Sequence, residues 1–270
     1  MKGVVKRVAR SLGYEIRKIQ PGSSASPPPD SAPPEDEVVR GPWISHVLQM
    51  ANRYYQPPTL RYPKYGEDQR IKYVAYFLDL RGLRTLEIGP LEGAHSVLLE
   101  KMSVRENVAI ESREENLRKC QRVKEKYRLD HTIFLQHDLE QLYSGKEKPQ
   151  FDGPFDLVFC LGVLYHVPEP AKALAWFRSQ ANTLFLGTHY IPEPHEQADV
   201  TYLRNGKSYR VKEWREGGLL DLTSGMSPVS LVPYEADLIE MIKDAGYSRI
   251  SVLGKDYLQN ATPHITILAE

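Results

Sequence analysis

The sequence lacks the features that mark several large classes of protein. It holds only 2 cysteines in 270 residues, too few for a disulfide framework or a cysteine-based zinc cluster. It has no apolar run near the roughly 20 residues that a membrane-spanning helix needs. Its 35 basic residues are matched by 35 acidic ones, so no overall positive field attracts nucleic acid. From these absences we expect a soluble protein of the cytoplasm.

The N-terminal part of the chain differs in composition from the rest. In residues 1–19, aliphatic residues fall on one half of a helical wheel and basic residues on the other, which predicts a basic amphipathic helix. Such a helix suits an anionic membrane surface, but it also suits docking on the protein's own body or on a partner. An organelle transit peptide is a weaker alternative. Residues 20–38 are rich in proline and serine, so we expect a disordered linker before a folded domain at 39–270.

Strand and helix patterns alternate through the body of the chain. Strands joined through single helices pair in parallel, so the pattern predicts an α/β fold with a doubly wound sheet. Two further strands, in 249–256 and 264–270, follow each other without a helix and predict an antiparallel C-terminal hairpin. A helical lead-in, including Trp43–Tyr65, precedes the sheet. The five strands predicted before the hairpin are Thr85–Ile88, Asn107–Ile110, Thr132–Leu135, Phe155–Cys160 and Thr183–Leu186.

A parallel sheet that ends in an antiparallel hairpin resembles the class I S-adenosylmethionine (SAM)-dependent methyltransferases. The resemblance covers residues 84–270 and implies a Rossmann-like, seven-stranded sheet with SAM as the cofactor. The segment FDLVFCLGVLYHVPEP, residues 155–170, is similar to the fourth motif of the type 11/12 methyltransferases. Its GVLYH part resembles the tRNA wobble-uridine carboxymethyltransferase group.

The glycine turn after the first strand distinguishes between nucleotide cofactors. From Glu87 to Gly93 it reads E-x-G-x-x-x-G rather than the G-x-G-x-x-G of dinucleotide-binding proteins, and no G-K-[S/T] follows. Carboxylates at Glu87 and Glu92 are expected to repel a pyrophosphate. Loop amides suit the methionine carboxylate of SAM, and Glu87 suits its ammonium group. An NAD-dependent enzyme is therefore a weak alternative.

Two acidic residues stand at the ends of the second and third predicted strands. Glu111 is placed to accept hydrogen bonds from both hydroxyls of a ribose. By resemblance, Asp138 accepts the adenine amino group with His137 beside the ring, although Asp138 also suits a helix cap. The residues predicted to bind the cofactor are Glu87, Gly89, Pro90, Gly93, Glu111, Ser112, His137, Asp138, Leu139, Cys160, Leu161, Gly162 and Tyr165.

Tyr165 and His166 are predicted to project where the methyl group leaves the cofactor. Histidine is suited to proton transfer near neutral pH, so His166 is the candidate general base for a hydroxyl acceptor. The alternative is a loop histidine that only shapes the pocket. We expect Tyr165 to contact the cofactor, because an ordinary phenol is a poor base.

An insert at residues 189–233 separates the fifth strand from the last long helix. Its segment YLRNGKSYRVKEWREGG mixes basic and aromatic residues, which suits contact with a phosphate, a carboxylate or a sugar ring. The same pattern is compatible with a solvated β-hairpin around Asn205-Gly206. We predict that Tyr190, Arg210, Trp214 and Ser227 contact the acceptor.

These features predict a SAM-dependent methyltransferase acting on an oxygen, or less readily a nitrogen, of a small molecule or saccharide. The alternatives are a tRNA-modifying enzyme, through the GVLYH likeness, and a catalytically silent SAM-binding scaffold. The expected partners are the acceptor and, through residues 1–19, a membrane surface. Nucleic acid is not favoured because the charge is balanced, and no metal is expected.

Overall fold

The computed structural model describes residues 74–193, 200–218, 221–258 and 262–270. The predicted amphipathic helix (1–19), the linker (20–38) and the lead-in Trp43–Tyr65 lie outside the described residues. In the part of the chain that is described, no helix is both long and apolar enough to cross a membrane.

The described residues form strands and helices that alternate through the first half of the domain. The strands are β1 (Arg84–Ile88), β2 (Glu106–Glu111), β3 (Thr132–Gln136), β4 (Leu157–Leu161), β5 (Leu184–His189), β6 (Val200–Arg204), β7 (Lys207–Arg215), β8 (Val229–Pro233), β9 (Ile250–Leu258) and β10 (Thr262–Ala269). The α-helices are α1 (Ala94–Lys101), α2 (Glu114–Tyr127), α3 (Leu139–Tyr143), α4 (Pro170–Gln180) and α5 (Glu235–Asp244), with a 3₁₀ turn at Leu164–His166.

Seven of these strands form one sheet, in the order β3-β2-β1-β4-β5-β10-β9. Strands β1 to β5 are parallel, whereas β10 is antiparallel to both β5 and β9. The predicted α/β class, seven-stranded sheet and antiparallel C-terminal hairpin are therefore confirmed. The strand order reverses between β1 and β4, and open sheets of this kind bind ligands at the carboxyl ends of the strands beside such a reversal.

The insert folds as a second, three-stranded sheet in the order β6-β7-β8. Strands β6 and β7 form the hairpin at Asn205-Gly206 that the sequence indicates. Both turn residues have positive φ, 49° at Asn205 and 76° at Gly206, as two-residue hairpin turns require. The third strand, β8, pairs with β7 and continues towards α5.

Strand β4 shows how the main sheet is covered on both faces. It is buried along its whole length, as expected of a central parallel strand. Val158 and Cys160 pack into the core beneath α3, α4 and α5, whereas Leu157, Phe159 and Leu161 pack into a second core on the opposite face. The two cores fix the position at which β4 ends, and therefore the start of the segment from Gly162 onward.

Helix α2 carries polar side chains on its buried face. Asn116, Lys119, Cys120 and Val123 follow one another at helical spacing along that face. Lys119 forms an ion pair with Glu92 of the glycine turn at 3.2 Å, and both side chains are almost fully buried. Contrary to the expectation from the sequence, Glu92 therefore does not present an uncompensated charge to a ligand, because Lys119 balances it.

Candidate active site

The glycine turn between β1 and α1 depends on left-handed backbone conformations. The angle φ is +66° at Gly89, +57° at Leu91 and +81° at Gly93. A Cβ atom on Gly89 would lie 2.5 Å from Cγ2 of Val163, so only glycine lets the turn approach the segment after β4. Pro90, between them, is buried. The turn is thereby held at the point where the strand order reverses.

Glu87 lies beneath this turn and is almost completely buried. Its Oε2 accepts hydrogen bonds from Oγ of Ser96 at 2.6 Å and from Nδ2 of Asn107 at 2.7 Å, while Oε1 makes no hydrogen bond in the described structure. Burial raises the pKa of the carboxyl group. These contacts join β1 to α1 and β2, so Glu87 orders the turn. Its contact with an ammonium group stays a prediction.

Glu111 ends β2 beside the turn. Its carboxylate accepts hydrogen bonds from the backbone N–H of Leu91 at 3.2 Å and of Arg113 at 3.0 Å. Burial raises its pKa to about 7 in spite of these hydrogen bonds. Glu111 and the glycine turn, which the sequence assigns separately to the cofactor, are therefore in contact. Ser112 follows and is partly exposed.

Asp138 and His137 lie at the end of β3. Oδ1 of Asp138 accepts from the backbone N–H of Glu140 at 2.9 Å, so the residue caps α3, and it is partly exposed. His137 is buried, with Nδ1 2.7 Å from Oε1 of Glu147 and Nε2 accepting from the N–H of Gln150 at 3.1 Å. Both its ring nitrogens therefore hold the loop after α3. Leu139 packs into the main core.

The residues at the end of β4 differ in how exposed they are. Cys160 and Leu161 are buried in the two cores, so any contact that they make with the cofactor would be through backbone atoms, and that contact stays a prediction. Gly162 has φ +80°, and a Cβ there would lie 3.7 Å from Oη of Tyr165. Gly162 and Tyr165 are partly exposed and are the accessible members of this group.

His166 has a partner that the sequence does not indicate. Its Nδ1 lies 3.0 Å from Oε2 of Glu216, at the end of β7. The Glu216 carboxylate also accepts from Oγ of Ser230 at 2.6 Å, Oγ of Ser224 at 2.7 Å and the N–H of Gly225 at 2.7 Å. Burial acts to raise the pKa of Glu216, but hydrogen bonds from His166, Ser224 and Ser230 lower it to about 2. Glu216 is therefore ionised at neutral pH.

This pairing fixes the chemistry of the His166 ring. An ionised carboxylate only accepts hydrogen bonds, so Nδ1 carries a proton and Nε2 has the lone pair when the ring is neutral. The Glu216 side chain is 2% exposed and that of His166 is 23% exposed, so the carboxylate is shielded while the imidazole is reachable. A buried carboxylate that orients a reachable imidazole is the arrangement of a histidine general base.

Further aromatic side chains surround His166 where β4 and β5 end. The ring of Tyr165 has its centroid 4.2 Å from those of His166 and His189. His189 in turn contacts His264 of β10 edge-on, at 5.7 Å. Tyr165 also packs against the small core of Ile191, Val232 and Tyr234. These contacts place β8 of the insert directly beside the predicted site of methyl transfer.

The residues between β7 and β8, described at 216–218 and 221–228, form what we call the cover segment. Nη2 of Arg113 donates to its backbone carbonyls at Gly218, Ser224 and Gly225. Ser227 donates to Glu140 of α3, from N at 3.2 Å and from Oγ at 2.5 Å. Together with Glu216, these bonds carry the cover segment across the carboxyl ends of β2, β3 and β4.

The residues predicted to contact the acceptor have different environments. Tyr190 is 7% exposed and packs in the main core, and Ser227 is bonded to Glu140 as described above. Arg210 is exposed, pairs with Asp237 at 2.9 Å and with Glu193, and lies 4.9 Å from the ring centre of Tyr234. Trp214 is 46% exposed and pairs in register with Ser230, which donates to Glu216. Trp214 is thus linked to Glu216 through its strand partner Ser230.

Sequence reasoning missed Glu216, Arg113 and Asn116. Glu216 and His166 are 50 residues apart, and no local pattern connects them. Asn116 does carry a signal, because an amide on the apolar face of a helix needs a hydrogen-bonding partner. Within the described residues, no group of three or more histidines, cysteines or carboxylates is arranged to hold a metal ion.

Comparison with known proteins agrees with this geometry. Residues 86–179 match a family model described as a methyltransferase domain. The chain is similar to the tRNA U34 carboxymethyltransferase of Campylobacter concisus, with 43% identity over 54 residues, 19% of this chain and 19% of that protein. For the Campylobacter hominis enzyme the identity is 26% over 123 residues, 43% of this chain and 39% of that protein. The chain therefore spans less than half the length of these curated relatives.

Two solved structures cover more of the chain. The N-terminal domain of EvdMO1, with S-adenosylhomocysteine (SAH) bound, has a TM-score of 0.63 and 28% identity over 77% of this chain and 84% of that one. The same domain in the presence of SAH and D-fucose has a TM-score of 0.63 and 26% identity over 86% of this chain and 99% of that one. The chain thus carries a class I SAM-dependent methyltransferase domain with a Rossmann-like fold, and its cofactor is SAM.

Proposed function

We propose that this methyltransferase transfers the methyl group to a hydroxyl oxygen of a saccharide. The observation that carries the proposal is the pairing of His166 with Glu216. A sugar hydroxyl is a poor nucleophile at neutral pH, and a base that removes its proton during attack raises its reactivity. Transfer to an uncharged amine does not need that base until after the new bond has formed, so a dedicated base favours oxygen.

The residues at the strand ends fit the cofactor. SAM supplies a methyl group on a positively charged sulfur. In this proposal Glu111 accepts hydrogen bonds from the ribose hydroxyls, Asp138 accepts the adenine amino group, and the Gly89 turn and Gly162 contact the methionine part through backbone atoms. Lys119, a basic side chain that bonds the glycine turn, is balanced by Glu92.

His166 acts on the acceptor. Nε2 takes the proton of the attacking hydroxyl as the carbon–oxygen bond forms, and the imidazolium that results is stabilised by the Glu216 carboxylate. The acceptor leaves as its methyl ether, the cofactor leaves as SAH, and the proton passes from His166 to solvent. Glu216 remains ionised throughout, because its four hydrogen-bond donors hold its pKa low.

The saccharide class is supported by the wall of the site and by one comparison. Trp214 lies across β7–β8 from Ser230, and cross-strand partners project from the same face of a sheet. Its half-exposed ring is therefore on the face of the sheet from which Ser230 bonds Glu216, and a flat apolar surface with a polar edge suits the face of a sugar ring. The similar domain of EvdMO1 was solved in the presence of D-fucose.

The test is methyl transfer from isotope-labelled SAM to a panel of hexoses and deoxyhexoses that begins with D-fucose. We expect a sugar methyl ether, identified by mass spectrometry and NMR, and a loss of about 10²-fold or more in kcat for His166→Asn. His131→Asn is the matched control and should retain full activity, because His131 is exposed and lies at the amino end of β3, away from the carboxyl ends of the strands. Methylation at nitrogen, full activity of His166→Asn, or no reaction with any sugar while SAH still binds would each refute the proposal.

A further inference from the structure

Arg113 contacts both halves of the site. Its backbone N–H donates to Oε1 of Glu111 at 3.0 Å. Its side chain is buried, and Nη2 donates to the carbonyls of Ser224 and Gly225, each at 3.0 Å, and of Gly218 at 3.3 Å. One residue therefore joins the carboxylate predicted to bind ribose to the segment that surrounds Glu216.

Gly225 transmits this contact to His166. Its carbonyl accepts from Arg113, and its N–H donates to Oε2 of Glu216 at 2.7 Å. A Cβ atom on Gly225 would overlap the backbone carbonyl oxygen of His166, so the cover segment fits against the histidine without space for a side chain. A displacement of Gly225 would therefore move a donor away from Glu216 and open the contact with His166.

Asn116 forms a second connection of the same kind. Its Nδ2 donates to the carbonyl of Leu222 at 3.0 Å and lies 3.4 Å from Oε1 of Glu111. Arg113 and Asn116 lie one turn apart at the start of α2, and both bond Glu111 and the cover segment. Both connections reach the cover segment through its backbone carbonyls, and Ser224, whose carbonyl accepts from Arg113, also donates through Oγ to Glu216.

We infer that Arg113 is a positioning residue, which together with Asn116 aligns the His166–Glu216 pair through the cover segment and couples that alignment to occupation of the cofactor site. The inference rests on the proposed function for its catalytic meaning. The coupling itself concerns SAH binding and the His166 ring, so it is measurable before any acceptor is known.

The experiment compares the full-length wild type with Arg113→Met and Arg113→Lys. Methionine keeps the apolar stem and the backbone N–H to Glu111 but removes the guanidinium group, whose Nη2 makes all three hydrogen bonds to the cover segment, while lysine retains a cation. Three quantities are measured: the Kd of SAH by calorimetry, amide hydrogen exchange in residues 216–228 with and without SAH, and the His166 Nδ1–H signal in protein with ¹⁵N-labelled histidine. Circular dichroism establishes that each variant is folded, and His166→Asn assigns the signal.

In the wild type we expect SAH to slow exchange in 216–228 and to sharpen the His166 Nδ1–H signal. In Arg113→Met the segment should exchange about tenfold faster or more, with or without SAH, and the Nδ1–H signal should be lost to solvent exchange. The Kd of SAH should stay within about threefold of the wild type, because the backbone contact to Glu111 is kept. Arg113→Lys should recover part of both signals.

Arg118→Met is the matched control, since Arg118 lies on the same helix in an exposed ion pair with Glu114 and should leave all three quantities unchanged. The inference is overturned if both Arg113 variants retain wild-type exchange and the His166 signal. It is also overturned if SAH binding is weakened while exchange and the His166 signal of the ligand-free protein stay at their wild-type values, since Arg113 would then act on cofactor affinity alone. Failure of the proposed function would look different, with the coupling intact and no sugar methylated.

Discussion

The raised pKa of Glu111 predicts that cofactor binding is linked to the release of a proton. Burial raises this pKa from 4.5 to about 7, so the carboxyl group is largely protonated at pH 6 in the free protein. Ribose hydroxyls donate to the ionised carboxylate, so ligand binding requires the proton to leave. With a pKa near 7, SAH binding should release about 0.9 proton from Glu111 at pH 6 and about 0.1 at pH 8, and Kd should be about tenfold weaker at pH 6.

Calorimetric titration with SAH in two buffers of different ionisation enthalpy measures the released protons directly. Glu111→Gln is the control, because it cannot ionise and because it retains the proton release of the ligand itself and of all other groups. The difference between wild type and variant should follow the titration of Glu111 and vanish above pH 8. An equal proton count in the two proteins at pH 6 would refute the assignment of Glu111 to the ribose.

The Glu111 carboxyl group also makes the stability of the free protein depend on pH. Because its pKa is raised in the folded state, the contribution is fully present below pH 4.5 and is lost as the pH rises through 7. The 2.5-unit shift corresponds to about 3 kcal/mol in the free energy of unfolding. Urea unfolding at pH 5 and pH 8 should show this loss in the wild type, and Glu111→Gln should remove it. An unchanged pH dependence in the variant would contradict this origin.

Three further substitutions test the structure of the site. Gly89→Ala should lower the free energy of unfolding by about 3 kcal/mol, because φ is positive and the new Cβ meets Val163. The double variant Gly89→Ala/Val163→Ala should recover part of that loss. If it recovers none, the steric cause is contradicted. Lys119→Met should cost about 3–5 kcal/mol in urea unfolding by removing the cation beside buried Glu92, with partial recovery in Lys119→Met/Glu92→Gln. An unchanged free energy of unfolding in Lys119→Met would show that the Lys119–Glu92 ion pair does not stabilise the fold. Asp138→Ala should lower the free energy of unfolding by about 1 kcal/mol through loss of the helix cap, whereas Asp138→Ser should keep the cap. Both variants should weaken SAH binding, because neither side chain reaches the adenine. Unchanged SAH affinity in both would leave Asp138 with the capping role alone.

Local sequence patterns predicted much of the fold. The alternation of apolar strands and helices, and the C-terminal pair without a helix between them, were sufficient for the seven-stranded sheet. The Asn205-Gly206 turn likewise identified the hairpin of β6 and β7, because few residues tolerate positive φ at both positions. What local patterns did not indicate is that this hairpin gains a third strand, β8, and packs beside Tyr165 and His166.

The position of a site residue could be predicted only where it depends on a single strand or helix. Glu111 is the last residue of its strand, so its position at the carboxyl edge of the sheet could be inferred from the sequence. The residue type of His166 predicted a base, which stays a prediction, but the carboxylate that fixes its tautomer follows a strand of a different sheet, 50 residues later. The two-residue period of β4 puts the Cys160 side chain in the core, so its predicted contact with the cofactor stays a prediction that involves only its backbone.

The location of Glu216 at the end of β7 has a consequence for how acceptor preference could change in this protein. Under the proposed function, the insert that borders the acceptor also supplies the carboxylate that orients the base, so replacing the insert changes the substrate contacts and the proton transfer together. A chimaera that exchanges residues 190–233 would import both together, whereas changes at Trp214 alone would alter the fit of the acceptor and leave the base as it is. Diversification of this enzyme is therefore expected to proceed by replacement of the whole insert or by substitution at its exposed face, and seldom by changes around Glu216.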